Sequence, residues 1–172
     1  MANAPGAFAI DRAGPEDAPA ITDLWFRHLT QTSGEVDPTF APALAPRTLA
    51  ARLKRALAAG TLLGWIARAE GQTRQQLAGY LTARIQVQDP LFGDTFAYEP
   101  VLYIVDVDVE ARFRRRGVSG LLTAHAEAHA RHHRIRTLEL AVVVRDDRAV
   151  QAWRKQGFET RVAVMRRPIA KR

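Results

Sequence analysis

The run from Val105 to Leu122, VDVDVEARFRRRGVSGLL, holds the residues of this chain best suited to chemistry. Asp106 and Asp108 alternate with valines, so both carboxylates project from one side of a strand. Aspartate is disfavoured inside strands, and two at i and i+2 call for a reason. One reason is a wet strand face paired with nearby arginine. The other is a cleft that binds a cationic amine and relays its proton. Arg114, Arg115 and Arg116 follow, then Gly117, where a helix pattern begins. Gly117 removes a Cβ where a bulky anion would approach the backbone. The helix start points its free amides and positive dipole end at the same spot, which predicts a diphosphate cradle over residues 114–120.

Other phosphate sites are disfavoured. The segment lacks the Gly-x-x-x-x-Gly-Lys-Ser/Thr loop of nucleoside triphosphate sites and the Gly-x-Gly-x-x-Gly turn of dinucleotide folds. A second strand–helix unit follows, from Thr137 to Val144 and from Asp146 to Phe158.

With these residues in place the chain resembles the GNAT superfamily of N-acetyltransferases. The family's signature, Arg/Gln-x-x-Gly-x-Gly/Ala, is matched by Arg114 and Gly117 in the segment Arg114-Arg115-Arg116-Gly117-Val118-Ser119, with Ser119 a mild departure at the Gly/Ala position, small and able to add a hydroxyl to a phosphate. Its later Asn-x-x-Ala-x-x-x-Tyr-x-x-x-Gly-Phe motif is answered by Asp146, Ala149, Trp153, Gly157 and Phe158. The segment from Phe8 to Ile21 resembles the family's opening strand and first helix, so the likeness covers nearly the whole chain.

The resemblance implies an α/β (α+β) fold: a central mixed, mostly antiparallel sheet, splayed between its fourth and fifth strands, with helices on both faces. It implies acetyl-CoA as co-substrate and transfer of its acetyl group to a primary amine. The cofactor contacts would fall on Val107, Asp108, Val109, Arg114, Arg115, Arg116, Gly117, Val118, Ser119, Gly120, Asp146 and Trp153. Val107 and Val109 would pair their main-chain groups with the pantetheine arm. Asp106 and Asp108 are the candidate bases; Glu99 and Glu35 are weaker ones.

Two departures stand out. Trp153 occupies the position where relatives often carry the tyrosine that protonates the leaving thiolate, and an indole N–H is not a useful acid. Tyr80, Tyr98, Tyr103 or water would have to substitute, or the thiolate would leave unprotonated. Asp146 replaces the family's Asn, and it is also a good helix N-cap. The absence of cysteine favours direct attack in a ternary complex over a cysteine acyl-enzyme. The alternative reading is a non-catalytic acyl-CoA-binding sensor.

Composition narrows the field further. The 172 residues suit a single domain, 1–172, and 47% hydrophobic content is ordinary for a globular chain. No apolar run is long enough to span a bilayer and no secretory pattern opens the chain, so a cytoplasmic address without membrane association is expected. The net charge of +7 is mostly arginine, with lysine only at 54, 155 and 171. No basic stripe interleaved with aromatics appears, so no specific nucleic-acid partner is expected. His125, His129 and His132 or His133 share one helix face, but no carboxylate lies on it, and no metal is expected.

The positioning elements follow from periodicity. A strand is predicted at 8–12 and a helix after Gly14-Pro15, with Ala18, Ile21, Leu24, Trp25 and Leu29 facing the core. A second helix spans 47–58 and ends at Gly60, and a hairpin joins 62–70 to 76–87. Then come strand 101–109, helix 117–132, strand 136–144, helix 146–155 and a last strand at 158–166. The linker 88–100 carries Phe92, Phe96 and Tyr98, an aromatic loop compatible with a homodimer. The resemblance implies a small-molecule or peptide amine as acceptor, with its site around residues 25–46 and 88–100.

Overall fold

The computed structural model describes residues 8–32, 44–71, 73, 76–87, 99–143 and 146–162. The linkers carrying Glu35, Phe92, Phe96 and Tyr98 lie outside them. Tertiary contacts divide the chain into two compact units, Met1–Leu140 and Ala141–Arg172, each described by itself.

The first unit is a five-stranded sheet in sequence order, β1 (Phe8–Arg12), β2 (Leu63–Ala69), β3 (Gly79–Gln86), β4 (Val101–Val109) and β5 (Thr137–Leu140). Neighbours pair antiparallel from β1 to β4, and β5 joins β4 in parallel. Helices α1 (Ala18–Thr32) and α2 (Pro46–Ala58) separate β1 from β2, and α3 (Val118–His132) connects β4 to β5. A short 3-10 turn at Pro15–Asp17 leads into α1. There the Asp17 carboxylate accepts from the Gly14 amide at 2.9 Å and from Arg68 Nη2 at 2.9 Å, which fixes how the chain enters the helix.

Each sheet face is covered for a reason legible in the side chains. Ile21 and Leu24 of α1 pack on Ile66 of β2 and Tyr80 of β3, with Leu53 and Leu57 of α2 against the same cluster. On the other face, Val118, Leu122, Ala126 and Ala130 form the buried stripe of α3 at intervals of four residues. The small alanines let the helix lie close to the strands. Gly79 belongs to this contact. A Cβ there would stand 2.8 Å from the Asp108 carbonyl oxygen and 3.1 Å from Val118 Cγ1.

The decisive irregularity lies in β4. Thr82 pairs with Asp106 but Ala83 pairs with Ile104, so Val105 is an extra residue, a β-bulge. Strand alternation would place Leu102, Ile104, Asp106 and Asp108 on one face. The bulge breaks that parity. Leu102 and Ile104 stay on the α3 face, fully or almost fully buried. Asp106 and Asp108 turn to the face of Thr82 and Tyr80, beneath α1.

Strand β5 is shorter than the predicted 136–144. It pairs with β4 only from Val101 to Ile104, and residues 141–143 are not strand. Beyond Ile104 the β4 edge has no strand neighbour on that side among the described residues. Parallel pairing thus stops where the bulge begins, and the sheet opens between its fourth and fifth strands.

The second unit holds α4 (Asp147–Lys155), N-capped by Asp146, whose Oδ1 accepts from the Ala149 amide at 3.0 Å. Trp153 packs edge-on against Phe158 at 5.1 Å between centroids, across a turn where Gly157 takes φ +88°. The strand predicted at 158–166 is not formed in its described part: residues 158–162 are irregular, and the remainder lies outside the described residues. The β-branched pattern there is short and carries several charges. Residues 158–162 have no paired strand neighbour among the described residues, and so short a segment does not hold a strand by itself.

Candidate active site

Strand β4 fixes the geometry of the open edge. The Glu110 amide donates to the Ala78 carbonyl at 2.9 Å, toward β3. Backbone groups alternate along a strand, so those of Val109 and Val107 face the other way, into the opening. These are the residues expected to pair with the pantetheine arm. Their amides are held by the chain's own carboxylates. Val109 N–H donates to Asp108 Oδ1 at 2.8 Å, and Val107 N–H donates to the Asp106 carboxylate. The Val109 carbonyl accepts from Arg114 Nε at 2.9 Å.

Around the two aspartates the fold assembles a polar cluster. Tyr80, one of the most buried side chains, sits opposite Asp108 in the register and reaches diagonally to donate its hydroxyl to Asp106. Helix α1 brings His28, whose Nδ1 lies 3.4 Å from Asp108 Oδ1 and 2.9 Å from Arg114 Nη2. Arginine only donates, so the second contact makes Nδ1 an acceptor and leaves the ring proton of neutral His28 on Nε2. One turn position earlier, Arg27 pairs with Glu110. Asp108 Oδ2 is buried with no hydrogen-bond partner among the described residues.

Burial dominates the electrostatics. It pushes the Asp108 carboxyl up to about 7, against the opposing pull of the Val109 amide and Arg114. It also raises Asp106, although the Tyr80 hydroxyl, the Val107 amide and, when its ring is charged, His28 favour that carboxylate. Burial, followed by the charge of Asp106, pushes the Tyr80 hydroxyl well above its ordinary value. Tyr80 is therefore a fixed hydrogen-bond donor at working pH, whereas Asp108 is poised to exchange a proton near neutrality.

The cradle is built on the turn between β4 and α3. A 3-10 turn at Ala111–Phe113 leads into Arg115 (φ 62°) and Gly117 (φ 82°), both left-handed. Such conformations turn successive amides toward a common concavity, and the glycine adopts its angle without steric cost. Gly117 is the N-cap of α3 and no side chain caps the helix, so Val118, Ser119 and Gly120 present first-turn amides. A Cβ at Gly120 would meet nothing within 4 Å.

The arginines of this turn divide their work, with Arg115 exposed. Arg116 and Arg112 lie over the Phe113 ring, at 5.8 and 4.8 Å, and Phe113 in turn packs edge-on against Phe8. Arg114 folds back onto the acidic cluster. Asp146 and Trp153 belong to the second unit.

Helix α1 supplied what sequence reasoning missed. His28 falls one heptad after Ile21 and four residues after Leu24, on the core-facing stripe. A histidine on an apolar stripe was the available signal. Glu99, the weaker candidate base, sits beyond the opposite end of β4, mostly exposed and 3.9 Å from Arg136. His129 stacks on Trp65 and His133 rather than gathering ligands, and no group of three metal-binding side chains occurs among the described residues. No described helix is long and apolar enough to cross a membrane.

No curated protein matches the chain. Among solved structures, the BH1408 protein from Bacillus halodurans superposes with a TM-score of 0.73 at 20% identity, covering 94% of this chain and 99% of that one. A predicted acetyltransferase with acetyl-CoA from Clostridium acetobutylicum superposes at 0.70 and 16% identity, covering 94% and 96%. An aminoglycoside acetyltransferase from an uncultured soil metagenomic sample, in complex with sisomicin, superposes at 0.68 and 16% identity, covering 95% and 97%. These likenesses show the fold. The family model described as the acetyltransferase (GNAT) family matches residues 26–158, a stretch that takes in the splayed strand, the arginine turn and the Trp153 helix. The chain belongs to the acetyltransferase (GNAT) family.

Proposed function

We propose that this protein transfers the acetyl group of acetyl-CoA to a primary amine of a small cationic molecule, by direct attack in a ternary complex. The observation that carries the reading is the open β4 edge from Val105 to Val109, running into a turn and a helix start whose amides no side chain caps. A diphosphate suits that helix start, because first-turn amides and the dipole both favour an anion. The open space at Gly120 leaves room for it. An extended arm with amides of its own suits the strand edge.

Acetyl-CoA, when bound, supplies the activated acyl group. The chain's part is positioning and proton transfer. Backbone amides at 117–120 would hold the phosphates, and Val107 and Val109 would align the arm. Asp108 would take the amine's proton, directly or through water, with Asp106 beside it held by Tyr80. Asp106, Asp108 and Glu110 make the end of the opening acidic, which suits a cationic acceptor. A structural neighbour that binds the aminoglycoside sisomicin supports a small-molecule amine over a peptide.

The test is a thiol-release assay with acetyl-CoA across a panel of aminoglycosides, polyamines and amino-terminal peptides. The protein has no cysteine, so its own background is low. Turnover with a small polycationic amine is expected. Calorimetric binding of CoA without turnover on any amine would instead make the protein an acyl-CoA sensor. Absence of CoA binding would overturn the reading.

A further inference from the structure

The two aspartates of β4 stand where a strand disfavours them, and each immediately precedes an outward-facing amide of the open edge. Resting on the reading above, we propose that Asp108, with Asp106, is a built-in placeholder for the pantetheine arm: its carboxylate caps the edge amide until the arm displaces it, and the displaced carboxylate becomes the proton acceptor.

The edge of a sheet exposes unpaired donors and acceptors, and a partly buried one needs substitutes. Here the substitutes are side chains that can leave. Asp108 Oδ1 takes the Val109 amide at 2.8 Å, and Arg114 Nε fills the Val109 carbonyl at 2.9 Å. A ligand amide laid along this edge needs both positions, so the arm and these side chains are mutually exclusive at Val109. The Asp108 carboxylate has somewhere to go. His28 Nδ1 is 3.4 Å from its Oδ1. His28 Nδ1 now accepts from Arg114 and, once Arg114 withdraws, can accept instead from Asp108 when that carboxyl takes a proton.

The exchange has a chemical consequence. The Val109 amide and Arg114 are the two groups that hold Asp108 down, against burial and against the charges of Asp106 and Glu110. Losing both on binding makes the carboxylate more basic when the thioester is present. Among the described residues, Tyr80 of β3, His28 and Arg27 of α1, Arg114 of the turn, and Asp106 and Glu110 along β4 and its end frame this change. The base would thus be strengthened by the arrival of the co-substrate, with no movement of the backbone required.

The experiment compares Asp108→Ala with Asp108→Asn by calorimetry, using two probes: CoA, and adenosine 3′-phosphate 5′-diphosphate, which has the phosphates without the arm. Both variants lack the charge, but asparagine retains an oxygen that caps the Val109 amide. CoA is expected to bind Asp108→Ala about three- to tenfold more tightly than Asp108→Asn, the worth of one released hydrogen bond. The armless probe is expected to bind both equally. Equal CoA affinities, weaker binding to the alanine variant, or the same gain with the armless probe would each overturn the placeholder. Should the alanine variant not fold, carbon-13 NMR of the wild-type Asp108 carboxyl decides. Its titration midpoint is expected to rise on saturation with CoA, and an unmoved midpoint overturns the proposal. Failure of the wild type to bind CoA at all would refute the underlying reading instead.

Discussion

Tyr80 donates its hydroxyl to Asp106 from a position that faces Asp108 across the ladder, so one buried ring on β3 spans both carboxylates of β4. The diagonal reach of an aromatic side chain makes this contact available. It ties the hydrophobic cluster under α1 to the acidic end of the opening.

Tyr80→Phe keeps the ring and removes that donor. The hydroxyl favours the Asp106 carboxylate, so its loss should raise the Asp106 ionisation further. The acid limb of the pH–rate profile should move to higher pH, and stability in urea should fall by about 1 kcal/mol. A profile that does not shift would show that Asp106 takes no part in the ionisation controlling turnover.

Gly120→Glu separates the cradle from the fold. Gly120 has open space around its missing Cβ, and replacing a helical glycine gains roughly 0.5–1 kcal/mol in helix propensity. The variant should therefore fold, with an unchanged or slightly higher melting temperature. CoA affinity should drop at least a hundredfold through clash and charge, as read by calorimetry. Gly117→Ala behaves differently. At φ 82° an alanine is strained by about 1 kcal/mol, so that variant should lose stability as well.

Asp108→Asn should change the pH dependence of stability. The folded carboxyl titrates near 7, well above its unfolded value, so the native state binds more protons than the unfolded state between about 4 and 7. Stability from this group is therefore present at low pH and lost as pH rises through 7. The amide has no such charge to bury. The variant's melting temperature should exceed wild type by about 5 °C at pH 8 and match it near pH 4. Equal differences at both pH values would mean that the buried carboxyl is not the cause.

Deleting Val105 tests the bulge. Without the extra residue, Ile104 and Asp106 become neighbours opposite Ala83 and Thr82, so an unbroken ladder keeps Asp106 and Asp108 on the face of Thr82 and Tyr80. What is lost is the local bend and added twist of the bulge, which lies where the β4 edge parts from β5. The expected result is a variant that still unfolds cooperatively in circular dichroism but binds CoA more weakly in calorimetry, and loss of cooperative unfolding would mean that the bulge is needed for the fold itself. Val105→Thr, which keeps the residue count and exposes only a hydroxyl on a half-exposed side chain, should melt within a few degrees of wild type.

Local signals in the sequence were strong enough to define most elements. Strands 8–12 and 101–109 appear with the predicted bounds, and α2, α3 and α4 begin within one residue of theirs. Their starts and stops are set by proline, glycine and hydrophobic period, all of which act over a few residues. The same locality made the aspartate pair and the arginine–glycine turn visible before any fold was known, and the family with them.

Tertiary structure decided the rest, because it depends on pairing between segments far apart in sequence. The bulge at Val105 is invisible in VLYIVDVDV, which reads as plain alternation; only the register against β3 reveals it. The short β5 depends on how far its partner runs, and this leaves the β4 edge open. His28 reaches Asp108 because α1 crosses β4, eighty residues away in sequence. The side chains that do the proposed chemistry were readable from the chain, whereas the face they occupy, the amides they cap and the burial that tunes them were set by packing.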